Sequence, residues 1–380
     1  MGNSITYLDH NSTTPVDKRV IEVITPYFSH LYGNPSSLYS FGNMAKMAVN
    51  KAKTSNADLL GTEPNEIYFN SGATEGLNFA LKGLALHSGN SKKHIITCTT
   101  EHKAVLETCH YLESIGYEID YLPVNKNGEI DLGLLKNTIR IDTLLVCLMW
   151  VNNETGVIHP INEIGNITKE AGVYFVCDGT QGIGKLPINV VDCNIDIFCF
   201  SGHKIYGPKG IGGIYINQSI TNKNKIQPLI HGGGQEDGLR SGTYNLPLIA
   251  GLEKAFSIAQ EEMDLNKKHI EQLQDFLKRE LLQIKGATIN GELAPRIYNT
   301  VNVCIPGFDT EIFIGMNSDI AVSNGSACTS ALIQPSHVLL AMHLNNNDAM
   351  NSLRISLGKD NTKEDIQLLI QRIKNFISNQ

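Results

Sequence analysis

Lys204 stands in Ser201-Gly202-His203-Lys204-Ile205-Tyr206-Gly207-Pro208-Lys209-Gly210, directly after the apolar run Phe198-Cys199-Phe200. Lysines normally decorate solvated faces, so one hemmed by glycine, histidine and serine after a buried strand is expected to be partly desolvated. A desolvated amine has a depressed pKa and can form a Schiff base with an aldehyde. Twenty-six positions earlier, Asp178 opens Asp178-Gly179-Thr180-Gln181 behind another apolar run, where a carboxylate could balance a cationic ring nitrogen. His102, in Thr100-Glu101-His102-Lys103, follows a third such run and could stack on a ring or move a proton. Taken alone, it reads as a structural histidine.

A fourth loop, Ser71-Gly72-Ala73-Thr74-Glu75-Gly76, leads from an apolar strand into an apolar helix. A small-residue turn at a helix N-terminus exposes backbone N–H groups and favours an anion. The plainer alternative is a capping box with Ser71 or Thr74 as N-cap. Pyridoxal phosphate requires this whole set: a Schiff-base lysine, an acid for the pyridine nitrogen and an anion cradle. The glycine-rich stretch 207–213 is not a nucleotide loop, because it lacks the terminal Lys-Ser/Thr and precedes a strand.

Of eight cysteines, Cys98, Cys147, Cys177, Cys199 and Cys304 sit in or beside apolar strand-like runs and read as small buried hydrophobes. Cys109 lies in a helical stretch and Cys193 in a polar connection. Cys328 differs, standing in Ser323-Asn324-Gly325-Ser326-Ala327-Cys328-Thr329-Ser330, a polar run that cannot fill a core and that a partner could reach. With no C-x-x-C pair in a long chain, neither a disulfide framework nor a zinc knuckle is indicated.

The elements that must position these groups follow from the apolar pattern. Strands are expected at Ile67–Asn70, His94–Cys98, 118–124, 144–151, 174–177, 195–200 and 211–216, with helices such as Lys103–Ser114, 132–139 and Ile161–Ala171 between them. Strands apolar on both faces alternating with helices imply a mostly parallel, helix-covered sheet, with ligands at the strands' carboxyl ends. A long helical pattern over 246–284 connects to a small α/β region with segments at 300–305, 309–316, 318–322, 335–344, 353–357 and 362–377. The first sixty residues, Pro- and Asn-punctuated and then helical from about Gly42, are expected to wrap onto both.

The chain has 380 residues, with 31 basic against 38 acidic side chains, a formal net charge of −7. This mildly acidic balance argues against nucleic acid or an anionic membrane as the main partner. No apolar stretch is long enough to span a bilayer and the start lacks the pattern of a secretory signal, so a soluble cytoplasmic protein is expected.

Together these residues resemble the NifS/IscS-like cysteine desulfurases, pyridoxal-phosphate enzymes of the class V aminotransferase superfamily. The resemblance runs from Tyr7-Leu8-Asp9-His10-Asn11-Ser12-Thr13-Thr14-Pro15 through SGATE, TEHKAV, VNNETG, DGTQ, SGHKIYGPKG, HGGGQEDGLRSGT and SNGSACTS to LRISLG. It implies an α/β fold of type I, with a large domain built on a mostly parallel seven-stranded sheet and a small C-terminal α/β domain. The boundaries expected are 1–14 for an N-terminal segment associated with the small domain, 15–256 for the large domain and 257–380 for the small one.

The resemblance also implies roles. Lys204 would hold the cofactor, Asp178 would pair with the pyridine nitrogen, Gln181 with the ring hydroxyl, and His102 would stack on the ring and help move protons. Ala73, Thr74, Ser201 and His203 match the phosphate cup, with Thr243 supplied by the second subunit of a homodimer. Asn153, which also lies against the cofactor, and Arg354 match the positions that hold the substrate L-cysteine, and a guanidinium suits a carboxylate clamp. Cys328 matches the nucleophile that becomes a persulfide and passes its sulfur to an acceptor protein, with L-alanine as co-product. Iron–sulfur cluster assembly, tRNA thiolation and DNA phosphorothioation are the destinations such sulfur serves. The rival activities are selenocysteine lyase or another class V transferase; a non-catalytic sulfur carrier would not need Lys204 or Asp178. Gly76 and Gly179 depart from the serine and alanine frequent in relatives, changes expected to leave the cofactor site intact. The chain ends at Gln380, without the longer tail of many housekeeping members, and this leaves the acceptor open.

Overall fold

A computed structural model describes residues 5–324 and 334–379; Cys328 therefore lies outside the described residues. The strands are β1 (Thr6–Tyr7), β2 (Ile67–Asn70), β3 (His94–Cys98), β4 (Glu118–Leu122), β5 (Thr143–Met149), β6 (Tyr174–Asp178), β7 (Ile197–Ser201), β8 (Gly212–Ile216), β9 (Thr288–Ile289), β10 (Thr300–Cys304), β11 (Ile320–Ala321) and β12 (Ser352–Ser356).

Seven of them form the central sheet in the order β2-β8-β7-β6-β5-β3-β4, in which β8 alone runs against the rest. The mostly parallel seven-stranded sheet expected from the sequence is thus present. Every residue of β5 is buried, because both faces are covered: Leu145 and Cys147 join one apolar cluster, Val146 and Leu148 the other. The first cluster takes its helical side from Ala73–Ala85 and Lys103–Ser114, the second from Ser40–Leu60 and Leu246–Leu281. Strand β4 behaves as an edge, turning Glu118 and Asp120 outward.

Strand ends moved by one or two residues from the sequence expectation. The largest shifts are at 195–200, observed as Ile197–Ser201, 144–151, observed as Thr143–Met149, and 118–124, observed as Glu118–Leu122. Backbone pairing rather than apolar character ends a strand, so Asp178 and Ser201, both polar, close β6 and β7.

A three-stranded antiparallel sheet, β12-β10-β9, lies in the C-terminal part, and β1 pairs in parallel with β11. The helix Leu246–Leu281 is continuous across residue 256. Near its start Glu253 pairs with Lys51 of the helix Ser40–Leu60; near its end Glu280 pairs with Lys374 of the helix Lys363–Ser378. Among the described residues no helix is long and apolar enough to cross a membrane.

Candidate active site

The carboxyl edge of the parallel strands collects the reactive side chains. Ser201 ends β7 and a short 3-10 turn, Gly202–Lys204, follows it; Asp178 ends β6; His102 caps the helix after β3, its Nδ1 accepting the Ala104 N–H at 3.1 Å. Arg354 comes from the middle of β12 and meets these loops from the C-terminal sheet. The N-terminal segment completes the site: Asn11 O accepts from Lys204 Nζ and, at 3.0 Å, from Gln181 Nε2, and Ser12 O accepts from Lys204 Nζ at 2.7 Å.

Lys204 is set up as a nucleophilic amine. Burial first, then the nearby Arg354 guanidinium, lower its pKa to about 8, while Asp178 and Asp9 pull the other way. Lys185 donates to Gln181 O at 3.0 Å and to Gln181 Oε1 at 3.3 Å, and burial with the Lys204 charge brings it to about 7. That pair of bonds orients the Gln181 amide, leaving its Nε2 as the donor. His102 is open to solvent at the mouth of the cleft, yet surrounded by enough protein that desolvation, opposed by Asp178 and aided by Lys204, lowers its pKa.

The turn before the helix Ala73–Ala85 is not the capping box that Ser71 and Thr74 allowed. Gly72 is the N-cap, with no side-chain cap on the helix, and Glu75 instead accepts the Ser71 N–H at 2.9 Å while pairing with Arg240 at 2.8 Å. Gly72 has φ 147°, and a Cβ there would come within 3.1 Å of Ser201 Oγ. Ser201 Oγ accepts the Ala73 N–H at 2.7 Å, so β7 and the helix N-terminus share one small cradle. His203 stands beside it, its Nδ1 3.1 Å from Thr13 Oγ1 and its pKa lowered to about 4 by burial and then by lysines 204, 209 and 185. N–H groups of a first helical turn, a buried hydroxyl and nearby lysines are the kinds of group that can hold a phosphate-sized anion.

Arg354 is 6% exposed; its Nη2 donates to Asp9 Oδ1 at 2.6 Å and its Nη1 to Asn153 O at 3.2 Å. Its Nε is buried with no hydrogen-bond partner. A guanidinium with a donor still unmatched, beside the amine of Lys204, suits a carboxylate two atoms from an amino group.

Ala73, Thr74, His102, Asn153, Asp178, Gln181, Ser201, His203, Lys204 and Arg354 thus all occupy the carboxyl edge or the strand facing it. Thr243 lies exposed in the segment between β8 and the helix Leu246–Leu281, outside the hydrogen bonds that tie this cluster together. The seven described cysteines are all buried, with burial pushing Cys98 up to about 11 and Cys109 up to about 12. Sequence reasoning missed Asn11, Lys185, Glu101 and Glu154. Glu101 and Glu154 stand inside motifs already singled out, and a carboxylate within an apolar-flanked loop was a signal that both are buried. Lys185, in a Gly-Lys-Leu-Pro connection, gave no such signal.

Fold and site together define a vitamin-B6-type transferase scaffold with a lysine at the sheet's carboxyl edge. The family model "Aminotransferase class-V" matches residues 6–369, and the chain belongs to that family. It is 47% identical over 374 residues to the cysteine desulfurase IscS of Rickettsia bellii, covering 98% of this chain and 91% of that protein. IscS of Methanosarcina thermophila is 44% identical over 377 residues, covering 99% of this chain and 92% of that protein. Among solved structures, a NifS-like protein superposes with a TM-score of 0.92 at 38% identity, covering 99% of this chain and 100% of that one. A structure described as SspA in complex with cysteine superposes with a TM-score of 0.84 at 38% identity, covering 94% of this chain and 99% of that one.

Proposed function

We propose that the protein is a cysteine desulfurase that takes sulfur from L-cysteine, releases L-alanine and leaves a persulfide on Cys328. The observation that carries the chemistry is Lys204: a buried amine held by the Asn11 and Ser12 carbonyls and brought to about 8 by burial and by the Arg354 charge, against the pull of Asp178. The similarity to cysteine desulfurases, and to SspA, whose structure is described in complex with cysteine, supports the choice of substrate.

The residues present fit pyridoxal 5'-phosphate. A Cβ on Gly72 would crowd Ser201 Oγ, so the glycine keeps the cradle of Gly72, Ala73 and Ser201 open, and Arg354 keeps an unmatched buried donor for a substrate carboxylate. Ala73, Thr74, Ser201 and His203 would hold the phosphate, with Thr243 of a second subunit; Asp178 would accept from the ring nitrogen, Gln181 would donate to the ring hydroxyl, and His102 would cover the ring. When bound, the cofactor supplies an electron sink for the pair left as the substrate's Cα–H bond breaks.

The chain's own groups do the rest. Arg354 and Asn153 fix the substrate, which turns bimolecular encounters into positioned ones. Lys204 Nζ, its proton affinity lowered by burial, takes and returns the Cα proton, and His102 assists proton movement. The Cys328 thiolate attacks the substrate sulfur: its S–S bond forms as the substrate Cβ–S bond breaks, and the departing pair at Cβ is protonated to the alanine methyl. The balance is L-cysteine plus Cys328 thiol giving L-alanine plus Cys328 persulfide, so no outside oxidant is required. The sulfur then passes to an acceptor protein, for iron–sulfur cluster assembly, tRNA thiolation or DNA phosphorothioation.

The working unit is a homodimer in the cytoplasm, divided within each chain at 1–14, 15–256 and 257–380. Exposed Phe28, Tyr32, Leu38, Tyr39, Met44 and Met47 crowd into one short stretch, an apolar surface that favours association with a second copy. The test is incubation of the cofactor-loaded protein with L-cysteine, scoring alanine and persulfide in equal amounts. No alanine above the cofactor-free control overturns the reading.

A further inference from the structure

The turn after β5 holds two things at once. Its Asn153 carbonyl accepts Arg354 Nη1 at 3.2 Å, and the next residue, Glu154, only 3% exposed, accepts a hydrogen bond from Ser336 Oγ on its Oε2. Ser336 is 2% exposed and also caps the helix His337–Ala341, accepting the Leu339 N–H at 3.2 Å. His337 adds a second tie, its Nε2 donating to Glu101 O at 3.0 Å, one residue before His102.

On the other side of residues 325–333, Ser323 exchanges both backbone hydrogen bonds with Arg354, at 2.6 and 3.1 Å. Asn302, opposite Arg354 in the β10–β12 pair, donates to Glu154 O at 3.2 Å and steadies the turn from the second sheet. The chain entering and the chain leaving the stretch that contains Cys328 are therefore tied to the groups that present Arg354, Asn153 and His102.

A fully buried carboxyl is costly unless something uses it, and an apolar side chain would pack this turn as well. The desulfurase reading gives Glu154 no contact with cofactor or substrate. We propose that Glu154 is a positioning residue for sulfur transfer: through Ser336 it fixes the chain that carries Cys328 to the turn that presents Arg354. This rests on the desulfurase reading, in which Cys328 must meet a substrate held by Arg354. The inference concerns the transfer step and not the capture of cysteine, which the turn's backbone supports by itself.

The experiment compares parent, Ser336→Ala, Ser336→Gly and Glu154→Gln as cofactor-loaded proteins. One measurement titrates L-cysteine against the cofactor absorbance; the other follows single-turnover persulfide on Cys328 by mass spectrometry. Ser336→Gly loses the same hydroxyl at a position where glycine is a tolerated N-cap, so it serves should Ser336→Ala fold poorly. Both serine variants are expected to bind L-cysteine within about twofold of the parent and to form persulfide ~10-fold more slowly, the scale of a misplaced reacting group. Glu154→Gln, whose amide oxygen still accepts from Ser336, is expected to keep most of the transfer rate. Persulfide forming at the parent rate in both serine variants overturns the proposal, as does an equal loss of binding and transfer. A parent that makes no alanine from L-cysteine overturns instead the desulfurase reading beneath it.

Discussion

Arg354 Nη2 donates to Asp9 Oδ1 at 2.6 Å, joining the middle of β12 to the N-terminal segment across 345 positions of sequence. The pair is nearly buried, with the Arg354 side chain 8% and the Asp9 side chain 17% exposed. The guanidinium is thus already oriented by an internal acid and by Asn153 O, with its remaining donor unmatched, and under the proposed function a substrate carboxylate would meet it so prepared.

That geometry makes Arg354→Lys a non-conservative change, because an ammonium has no planar fork to serve Asp9, Asn153 and a carboxylate together. KM for L-cysteine is expected to rise ~10-fold or more, with the absorbance of the bound cofactor unchanged. Steady-state kinetics with an absorbance spectrum check both halves; an unaltered KM refutes the clamp.

Removing the amine separates cofactor attachment from everything else. Lys204→Ala is expected to lose the absorbance band of the lysine-bound cofactor and to cut kcat/KM by ~1000-fold or more, since the amine that would carry the cofactor is gone. Lys185 is the nearest substitute, and Gln181 holds it by two bonds. A normal spectrum in Lys204→Ala sinks the assignment.

The cysteines offer a chemical test. All seven described ones are buried and the thiols of Cys98, Cys109, Cys147, Cys177 and Cys199 are pushed up by burial, so their thiolate fraction is small. Iodoacetamide at neutral pH is expected to label Cys328 and none of these seven in the folded protein. Cys328→Ala should abolish alanine release while leaving the cofactor absorbance in place. Peptide mapping that finds a label on any buried cysteine contradicts the packing described.

The pH dependence of stability follows from Lys185. Its folded-state pKa, about 7, lies below the unfolded value of 10.5, so between these values the unfolded chain binds more protons and stability rises with pH. For the cofactor-free protein the gain from pH 7 to 8.5 due to this one group is roughly 1.5 kcal/mol. Lys185→Met should flatten that slope in urea titrations, and an unchanged slope would show that the ammonium is not desolvated.

Gly179 carries a packing prediction. A Cβ there would lie 1.8 Å from the Phe198 ring, a fully buried side chain of β7. The departure from alanine was expected to be harmless to the cofactor site; its physical reason is room for this ring. Gly179→Ala is expected to destabilise the protein by about 1–3 kcal/mol through overpacking, and Gly179→Ala with Phe198→Leu should recover most of it. Equilibrium unfolding decides the matter, with no loss in the single variant counting against the packing.

The central sheet was legible because its strands are apolar on both faces and separated by amphipathic helices. Residues 144–148 read as one buried run, and the alternation of 145–148 between two clusters is the simple consequence of a period of two. The order β2-β8-β7-β6-β5-β3-β4 was not legible, since pairing between distant strands leaves no local trace. The turn at Gly72 was ambiguous for a related reason: Ser71, Thr74 and Glu75 satisfy a capping pattern in sequence, and only the distant Arg240 and Ser201 decide that Glu75 and Ala73 are engaged elsewhere. Glu101 and Glu154 were read as parts of motifs, while their carboxyls are met by distant segments, Glu101 by the Met149 N–H of β5 and Glu154 by Ser336.

By itself the sequence determined which residue types stand at the ends of apolar strands: an amine at 204, a carboxylate at 178, an imidazole at 102 and a thiol at 328 in a run too polar for a core. Those are local facts, set by side-chain chemistry and its immediate neighbours. Only the tertiary structure decided their electrostatics and their company. Lys204 reaches about 8 because the fold buries it and brings Arg354 close, from 150 positions further along the chain. Asn11 and Asp9 enter the site because the N-terminal strand β1 pairs with β11, a long-range contact no composition or spacing encodes. Desolvation and charge proximity are properties of folded space, and they turn a set of suitable residues into a site.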